Sequence, residues 1–580
     1  MTLKDVPRGE YPRPQFVRTD WLCLNGRWQF EIDRDDDGLE RGLLDRELQG
    51  EITVPFCPES PLSGVGVTDF MPSVWYRRSL TIPQAWAGRD VLLHLQAVDY
   101  DATVWVNGTQ VGRHRGGFTP FTCDLGGHVR PGERVTVVVR ARDDHRPPQP
   151  RGKQSQWERG YGPFYTRTTG IWQTVWMEPV PEPALRRPRL TPDLSAGLIR
   201  LEQPVSANRP GLRLRARLTD PRGEICVAEC ACELDLTPRV DLPIPEDRRR
   251  LWSPSDPHLY DLTIELVDAG GAVVDAATSY AGLRGVGIDG SDLKLNGRSL
   301  FQRLVLDQGY YPDGVMTAPS DDDLRGDVEL GLAAGFNGAR LHQKVFEERF
   351  LYHADRLGYL VWGEFGDWGR DARVSRGAGP RFGATYVTQW LEALARDYSH
   401  PCIVGWCPLN ETAEELEDRI TPLDDVTFGM FLATKAMDLT RPVIDASGYS
   451  HRVPDADVYD CHDYEQDPVR FRVNHAAVPG ALASVPYRGQ PFFVSEFGGT
   501  RWGPDAGSGD DSWGYGDTPA TVEDFYGRFE GLCRALLDNP RVAGYCYTQL
   551  TDVYQEQNGL YTFDRKPKFD LARLRRAQGL

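Results

Sequence analysis

Long apolar runs are absent from this 580-residue chain, and its charges show no basic excess. No stretch reaches the roughly 18 consecutive apolar residues of a transmembrane helix, so we predict no membrane span. Acidic residues outnumber basic ones by 84 to 66, which gives a formal net charge of −18. This charge disfavours nucleic acid and anionic membrane surfaces as partners.

The N-terminal residues also lack the apolar segment of a secretory signal peptide. The 11 cysteines are scattered, and their only cluster, CVAECAC at residues 226–232, lies in an alternating, strand-like run with no nearby histidine. We interpret these cysteines as reduced thiols rather than as metal ligands or disulfides. Both observations predict a cytoplasmic protein.

Short alternating strands fill the first half of the chain. They include VLLHLQAVDYDATVWVNGTQVG, in which Asn107 and Gly108 form a hairpin signal. The proline-rich linker PVPEPALRRPRL at residues 179–190 precedes a second set of short strands. We predict a jelly-roll β-sandwich over residues 1–181 and an immunoglobulin-like β-sandwich over residues 182–286.

From about residue 290 the pattern changes to apolar strands that alternate with helices. SDDDLRGDVELGLAAGFN, for example, has helical spacing behind an acidic first turn. Eight such strands, the fifth of them RPVIDASG at residues 441–448, predict a (β/α)8 TIM barrel over residues 287–580. A polar, glycine-rich insert at residues 503–517 is predicted to be a mobile loop over the strand ends.

Polar residues that end the predicted strands are the candidate site residues, because the carboxyl ends of barrel strands form the active site. In chain order these residues are Asp307, Arg340, His342, Glu364, Asn410, Glu411, His462, Tyr464, Glu496 and Gln549. A purely structural barrel would not need this collection of charged and polar groups at one mouth.

Glu411 and Glu496 are the candidate pair of catalytic carboxylates. In glycoside cleavage one carboxyl group must be protonated and the other ionised. The fourth and seventh predicted strands face each other across the barrel mouth, which suits the roughly 5 Å separation of a retaining mechanism. The spacing of His342 and His462 matches no metal-ligand motif, so we predict no metal and no cofactor.

Several motifs, in their order along the chain, resemble those of glycoside hydrolase family 2, which includes β-galactosidases, β-glucuronidases and β-mannosidases. They are VWYRRSLTIP, WVNGTQVGRHRGGFTPF and GIWQTVWME in the first region, WSPSDPHLYDL in the second, and LKLNGRSLF, AGFNGARLH, LGYLVWGE, HPCIVGWCPLNE and VSEFGG in the third. The resemblance covers nearly the whole chain.

The resemblance implies a role for several strand-end residues. Glu411 would be the general acid/base and Glu496 the nucleophile. Asn410 would hydrogen-bond the 2-hydroxyl of the sugar, and Arg340 and Tyr464 would hydrogen-bond the nucleophile. The predicted substrate-binding residues are Asn410, Asp307, Arg340, His342, Glu364, His462, Tyr464 and Gln549.

The sequence departs from this family where glucuronidases carry an Asn-x-Lys pair that binds the substrate carboxylate. Glu556 and Asn558 occupy those positions. A uronic acid is therefore disfavoured, with Lys344 as the one alternative cation. The RGKQ loop at residues 151–154 is a further candidate for contact with the substrate.

We therefore predict a retaining exo-glycosidase that hydrolyses a terminal neutral sugar from an oligosaccharide or glycoside, most similar to a β-galactosidase. A furanosidase or arabinosidase on the same scaffold is an alternative, and a transglycosylase would use the same residues. The alternative from another class is a non-catalytic carbohydrate-binding protein. The family resemblance favours a homo-oligomer, although no sequence feature specifies its interface.

Overall fold

Two β-sandwiches precede a mixed α/β region in the computed structural model. The structure describes residues 6–145, 148–369, 383–412, 418–478, 485–503 and 512–580. Most of the predicted insert at residues 503–517 lies outside this set. The predicted fold class is confirmed, and the exact domain boundaries remain a prediction.

The first sandwich contains sheets of six, four and two strands. Asn107 and Gly108 both have positive φ, at 51° and 80°, in the predicted hairpin turn. A separate core of buried aromatic and β-branched side chains fills the space between the sheets. The strands are Gly50–Val54, Gly26–Asp33, Ser73–Thr81, Arg134–Arg142, Asp101–Val106 and Thr109–Arg115; Leu22–Cys23, Val175–Val180, Asp90–Leu95 and Phe121–Asp124; and Gly170–Ile171 with Val98–Asp99.

The second sandwich pairs a three-stranded with a four-stranded antiparallel sheet around its own core. Gly271, at φ +86°, turns the chain between two of its strands. The three clustered cysteines are free thiols here. The strands are Arg189–Asp193, Leu198–Glu202 and Arg239–Pro243; Gly223–Ala231, Arg213–Asp220, Tyr260–Val267 and Val273–Ala281; and, in a small sheet that follows, Val286–Asp289, Asp292–Leu295 and Arg298–Ser299.

The third region carries a parallel sheet with helices between its strands. The strands are Gln302–Asp307, Gly338–Leu341, Leu360–Glu364, Ile403–Cys407, Tyr459–Asp463, Phe492–Gly498 and Val542–Thr548. The α-helices are Asp321–Ala333, Glu348–Leu357, Ala384–Asp397, Pro422–Met437, Pro468–Asn474, Val522–Leu537 and Leu571–Ala577, and short 3₁₀-helices lie at Pro61–Ser63, Gln84–Trp86 and Glu246–Arg248. No helix in the described residues combines the length and the apolar composition that a membrane span requires.

The prediction of a regular fifth strand at residues 441–448 is wrong. Within the described residues, seven strands form the parallel sheet, and residues 441–448 add only isolated bridges from Val443 to Trp406 and from Ser447 to Asn410. The Pro442 carbonyl and the Ile444 N–H still bond to Trp406, but Val443 bonds to Asp457 in the following loop, through its N–H to Oδ2 and through its carbonyl to the Asp457 N–H. The segment still occupies the place of a barrel strand beside Ile403–Cys407.

Contacts between the regions bring the first sandwich to the barrel mouth. The Arg151 and Gly152 N–H groups bind the Trp368 carbonyl at 2.8 and 3.1 Å. Farther away, Arg284 at the end of the second sandwich is buried against the barrel, where its side chain binds the carbonyls of Pro401 and Ile403 at 3.0 Å. The mouth of the barrel is therefore lined by two regions of the chain.

Candidate active site

Glu411 and Glu496 approach each other at the carboxyl ends of the barrel strands, as their positions in the sequence predict. One oxygen of each carboxylate and one nitrogen of His462 all lie within 4.8 Å of one another. Both oxygens of Glu496 already accept hydrogen bonds from Arg340 and Tyr464. This donor set therefore suits a pair of cooperating acids better than a metal site.

Glu496 is a buried carboxylate surrounded by hydrogen-bond donors. Its Oε1 accepts from Arg340 Nη2 at 2.9 Å and lies 3.5 Å from His462 Nε2, and its Oε2 accepts from the Tyr464 hydroxyl. Burial opposes ionisation, but the charges of His462 and Arg340 and the hydrogen bond from Tyr464 together hold the pKa of Glu496 well below its usual range. The group is therefore an ionised carboxylate at neutral pH.

Arg340 connects several neighbours from the centre of the barrel. Its Nε binds Glu364 Oε2 at 2.5 Å, its Nη1 binds the Ser495 carbonyl at 2.7 Å, and its Nη2 binds Asn410 Oδ1 at 2.5 Å as well as Glu496. The bond to Asn410 fixes the orientation of that amide. Asn410 Nδ2 is buried and has no hydrogen-bond partner in the described residues, so it remains available to a ligand.

Glu411 lies just beyond the strand Ile403–Cys407 in a left-handed conformation, at φ 48°. A non-glycine residue adopts this region only where its surroundings impose it. Here the Glu411 N–H binds the Ser447 carbonyl at 2.8 Å, and its Oε1 lies 2.6 Å from His462 Nδ1. Its side chain is 22% exposed, compared with 5% for Glu496. Glu411 therefore faces the open side of the mouth.

His462 and Glu364 position the charged groups around the two acids. His462 lies between Glu411 and Glu496, and although burial lowers its pKa, these two carboxylates raise it above the usual value. Glu364 binds both Arg340 and His342, with Oε1 2.9 Å from His342 Nδ1. Burial opposes its ionisation, but Arg340 and His342 lower its pKa to about 2. Burial lowers the pKa of His342.

In the described residues, Gln549 and Asp307 bond to other groups of the mouth and not to the paired acids. Gln549 accepts from Gln308 Nε2 at 2.9 Å and donates to Asn558 Oδ1 at 2.6 Å. Asp307 is buried, and its Oδ1 accepts from the Gly309 N–H at 2.9 Å. Burial and the nearby charge of Asp327 raise the pKa of Asp307 to about 7.

Lys344, the alternative cation of the sequence analysis, is used inside the protein. Its Nζ donates to the carbonyls of Gly309 and Met316 at 2.6 and 2.7 Å. It also lies over the ring of Phe346, and burial lowers its pKa to about 8. Its donors therefore point at backbone carbonyls rather than at a ligand.

Three groups that the sequence analysis did not single out support this arrangement. Asp367 accepts from the Asn410 N–H at 3.1 Å, Ser447 Oγ contacts His462 Nε2 at 3.0 Å, and Tyr165 of the first sandwich binds Glu556 Oε2 at 2.5 Å. Asp367 is a polar residue just past a strand end, which is a usable signal. Tyr165 has no local signal, because it lies in a different region of the chain.

Comparison with known proteins supports the family resemblance. Residues 22–147 match the family model described as the sugar binding domain of glycosyl hydrolases family 2, and residues 185–284 match the model described as glycosyl hydrolases family 2. The β-glucuronidase of Paenibacillus borealis is 25% identical over 434 residues, which is 69% of this chain and 69% of that protein. A β-galactosidase of Thermoanaerobacter pseudethanolicus is 24% identical to this chain. The aligned region covers 59% of this chain and 45% of the length of that β-galactosidase.

The crystal structure of the Ruminococcus gnavus β-glucuronidase has the same fold over the whole chain. It aligns with a TM-score of 0.79 and 19% identity over 99% of both chains. The match therefore includes the barrel that holds the paired acids as well as the two sandwiches. Residues 22–147 and 185–284 therefore carry the domains of glycosyl hydrolases family 2, and the relatives and the shared architecture support the same family for the chain as a whole.

Proposed function

We propose that the protein is a retaining exo-β-glycosidase that releases a terminal neutral sugar through a covalent intermediate on Glu496. The observation that carries this proposal is the approach of Glu411 and Glu496 to within 4.8 Å. Retaining glycosidases hold their two carboxyl groups about 5 to 5.5 Å apart, whereas inverting ones leave about 6.5 to 9.5 Å for a water molecule. The short separation favours direct attack by a carboxylate.

In the first step Glu496 attacks the anomeric carbon while Glu411 gives its proton to the oxygen of the leaving group. A bond forms between Glu496 and the sugar as the glycosidic bond breaks. Glu411, on the more open side of the mouth, is suited to meet the leaving group, and the buried, ionised Glu496 is suited to attack. Asn410 Nδ2 would donate to the 2-hydroxyl of the sugar.

In the second step Glu411 removes a proton from a water molecule as the oxygen of that water attacks the same carbon. The bond to Glu496 breaks, and its electron pair returns to the carboxylate. Arg340 and Tyr464 stabilise the returning charge, because each donates to one oxygen of Glu496. Inversion occurs twice, so the sugar keeps its β configuration.

The side of the mouth around Gln549 favours a closed pocket for one end of the sugar chain rather than an open cleft. Gln308, Gln549, Asn558 and Glu556 form a chain of hydrogen bonds that the Tyr165 hydroxyl completes. These amides and hydroxyls can both donate to and accept from sugar hydroxyls. Such a wall favours removal of a terminal residue.

A neutral sugar is favoured because Glu556 is buried where related glucuronidases bind a carboxylate, and because Lys344 is bound internally. A buried carboxylate repels a second one. A β-galactosidase-like enzyme is therefore our first choice. A glucuronidase is the second candidate, because several of the similar relatives carry that name.

A panel of nitrophenyl glycosides tests this proposal. It should contain β-galactoside, β-glucoside, β-glucuronide, β-galactofuranoside and α-arabinofuranoside. We expect the highest kcat/KM for a neutral sugar, and proton NMR of early product should show the β anomer. A first-formed α anomer would contradict a retaining mechanism on β-glycosides, and a preferred glucuronide would overturn the choice of sugar.

A further inference from the structure

A loop of the first sandwich places a lysine beside the proposed active site. Residues 151–154 lie against the segment that follows the strand Leu360–Glu364, where Gly152 N–H binds the carbonyls of Gly366 and Trp368 at 3.1 Å. Gly152 has φ +58°, and a Cβ there would lie 2.0 Å from the Gln343 carbonyl oxygen. Only glycine permits this close approach. The position of Lys153 is therefore fixed by backbone contacts.

The Lys153 side chain is buried without a polar partner. It is 6% exposed, and its Nζ lies 4.5 Å from the centre of the Trp368 ring. Within the described part of the chain, no hydrogen bond or ion pair involves this Nζ. A cation that lies over an aromatic face keeps N–H donors free for another partner. The ammonium is therefore placed to bind a ligand.

Trp368 also indicates which side of the sugar Lys153 meets. Its indole N–H donates to the Asn410 carbonyl at 2.9 Å, and its ring lies 6.3 Å from that of His342. Asn410 is the residue that we propose for the 2-hydroxyl. Lys153, on the face of the same indole, therefore lies on the side of the sugar that carries this hydroxyl.

Glu556 supplies an opposite charge in the same mouth. It is 2% exposed, and its oxygens accept from the Tyr165 hydroxyl at 2.5 Å and from Asn558 Nδ2 at 3.3 Å. Tyr165 is tied to Lys153 by a backbone hydrogen bond of 2.7 Å. Burial raises the pKa of Glu556, and the positive charge of Lys153 acts against that rise. The two charges therefore interact at a distance, without an ion pair between them in the described residues.

We propose that Lys153 and Glu556 together select an uncharged sugar, with Lys153 donating to a hydroxyl oxygen of the sugar and Glu556 accepting from another hydroxyl. This inference rests on the proposed function. A hydroxyl can satisfy both groups because it donates and accepts. A carboxylate on the sugar would be attracted by Lys153 but repelled by Glu556. An ammonium group on the sugar would be repelled by Lys153 and attracted by Glu556. The two opposite charges thus act as a filter, which selects an uncharged sugar over a charged one.

Charge-changing variants test this filter through the ratio of two kcat/KM values. The substrates are the best neutral nitrophenyl glycoside of the panel and nitrophenyl β-glucuronide. For Lys153→Met, which removes the charge and keeps most of the side-chain length, we expect at least a tenfold loss on the neutral substrate, carried mainly by KM. For Glu556→Gln we expect the glucuronide-to-neutral ratio to rise at least tenfold. The double variant should return the ratio toward that of the wild type.

Two controls separate charge from folding. Lys566→Met removes an exposed lysine that pairs with Asp564, and it should leave both kcat/KM values unchanged. Lys153→Arg keeps the charge and should recover part of the activity on the neutral substrate. Thermal unfolding of every variant identifies any that do not fold.

The outcomes distinguish this inference from the proposed function. If the wild type cleaves glycosides but Lys153→Met and Glu556→Gln leave the ratio unchanged, the filter is wrong and the glycosidase proposal stands. If the wild type prefers the glucuronide and Lys153→Met abolishes that preference, Lys153 binds a substrate carboxylate and the filter is overturned. If no glycoside is cleaved, the proposed function itself fails.

Discussion

Replacing Tyr464 by phenylalanine removes one hydrogen bond from the proposed nucleophile and keeps the surrounding packing. The Tyr464 hydroxyl donates to Glu496 Oε2, and its ring stacks on Tyr515 with centroids 3.4 Å apart and planes within 5°. Phenylalanine retains this stacking. Glu496 loses one of its stabilising contacts but keeps those with Arg340 and His462.

The expected effect follows from the strength of that bond. A hydrogen bond to a charged group contributes about 1.5 to 3 kcal/mol. Because each 1.36 kcal/mol corresponds to a tenfold change in rate, hydrolysis of the intermediate should slow by about 10- to 150-fold. Negative charge returns to Glu496 in that step, which is when the Tyr464 hydroxyl is needed. The first step should slow less, since there the charge leaves Glu496.

Stopped-flow measurement with an activated dinitrophenyl glycoside checks this expectation. Tyr464→Phe should show a burst of dinitrophenolate close to one equivalent per enzyme, with kcat and KM both lowered because the intermediate accumulates. Tyr352→Phe, on the outer helix Glu348–Leu357, is the matched control and should behave like the wild type. A loss of kcat without a burst would refute the reasoning, because the first step would then be the one that depends on Tyr464.

Three further variants address the acids. Glu496→Ala should lose at least about 10⁴-fold in kcat, and added azide should restore turnover with an α-glycosyl azide as product; wild-type turnover without azide would exclude Glu496 as nucleophile. Glu411→Gln should lose activity strongly on poor leaving groups and less than about tenfold on dinitrophenyl glycosides in the first step, whereas equal losses would argue against an acid. The pKa of Glu364 is lowered from 4.5 to about 2. Its ionised form therefore stabilises the fold by on the order of 3 kcal/mol above about pH 4.5. This contribution is lost as the pH falls toward 2. Urea unfolding should show Glu364→Gln less stable than the wild type at pH 7 and the difference narrowing toward pH 3; a constant difference would contradict this assignment.

Strand ends were predictable from the sequence because the signal is local. The apolar run Ile403–Cys407 and the Asn410–Glu411 pair just beyond it identify both a buried strand and its polar exit, and Glu496 lies near the end of the strand Phe492–Gly498. The same logic failed for residues 441–448. Their apolar residues predict a strand, but the segment pairs with its neighbour only through isolated bridges, and Val443 bonds to Asp457 in a loop.

Contacts between distant parts of the chain could not be predicted in this way. The Tyr165–Glu556 bond joins residues 391 positions apart, and the Lys153–Trp368 contact joins two different regions. Lys344 illustrates the opposite error. The sequence identifies a cation near the mouth, but only the fold shows that backbone carbonyls already occupy its donors.

The docking of residues 151–154 on the barrel has a consequence for how such an enzyme can diverge. Glu496, Arg340 and Asn410 form one hydrogen-bonded unit within the barrel, and a change at any of them disturbs the others. The loop enters this neighbourhood from a sandwich with its own core. Substitutions at Lys153 can therefore be sampled while the reaction chemistry is inherited intact, so new sugar preferences are more accessible to mutation through the sandwich than through the barrel.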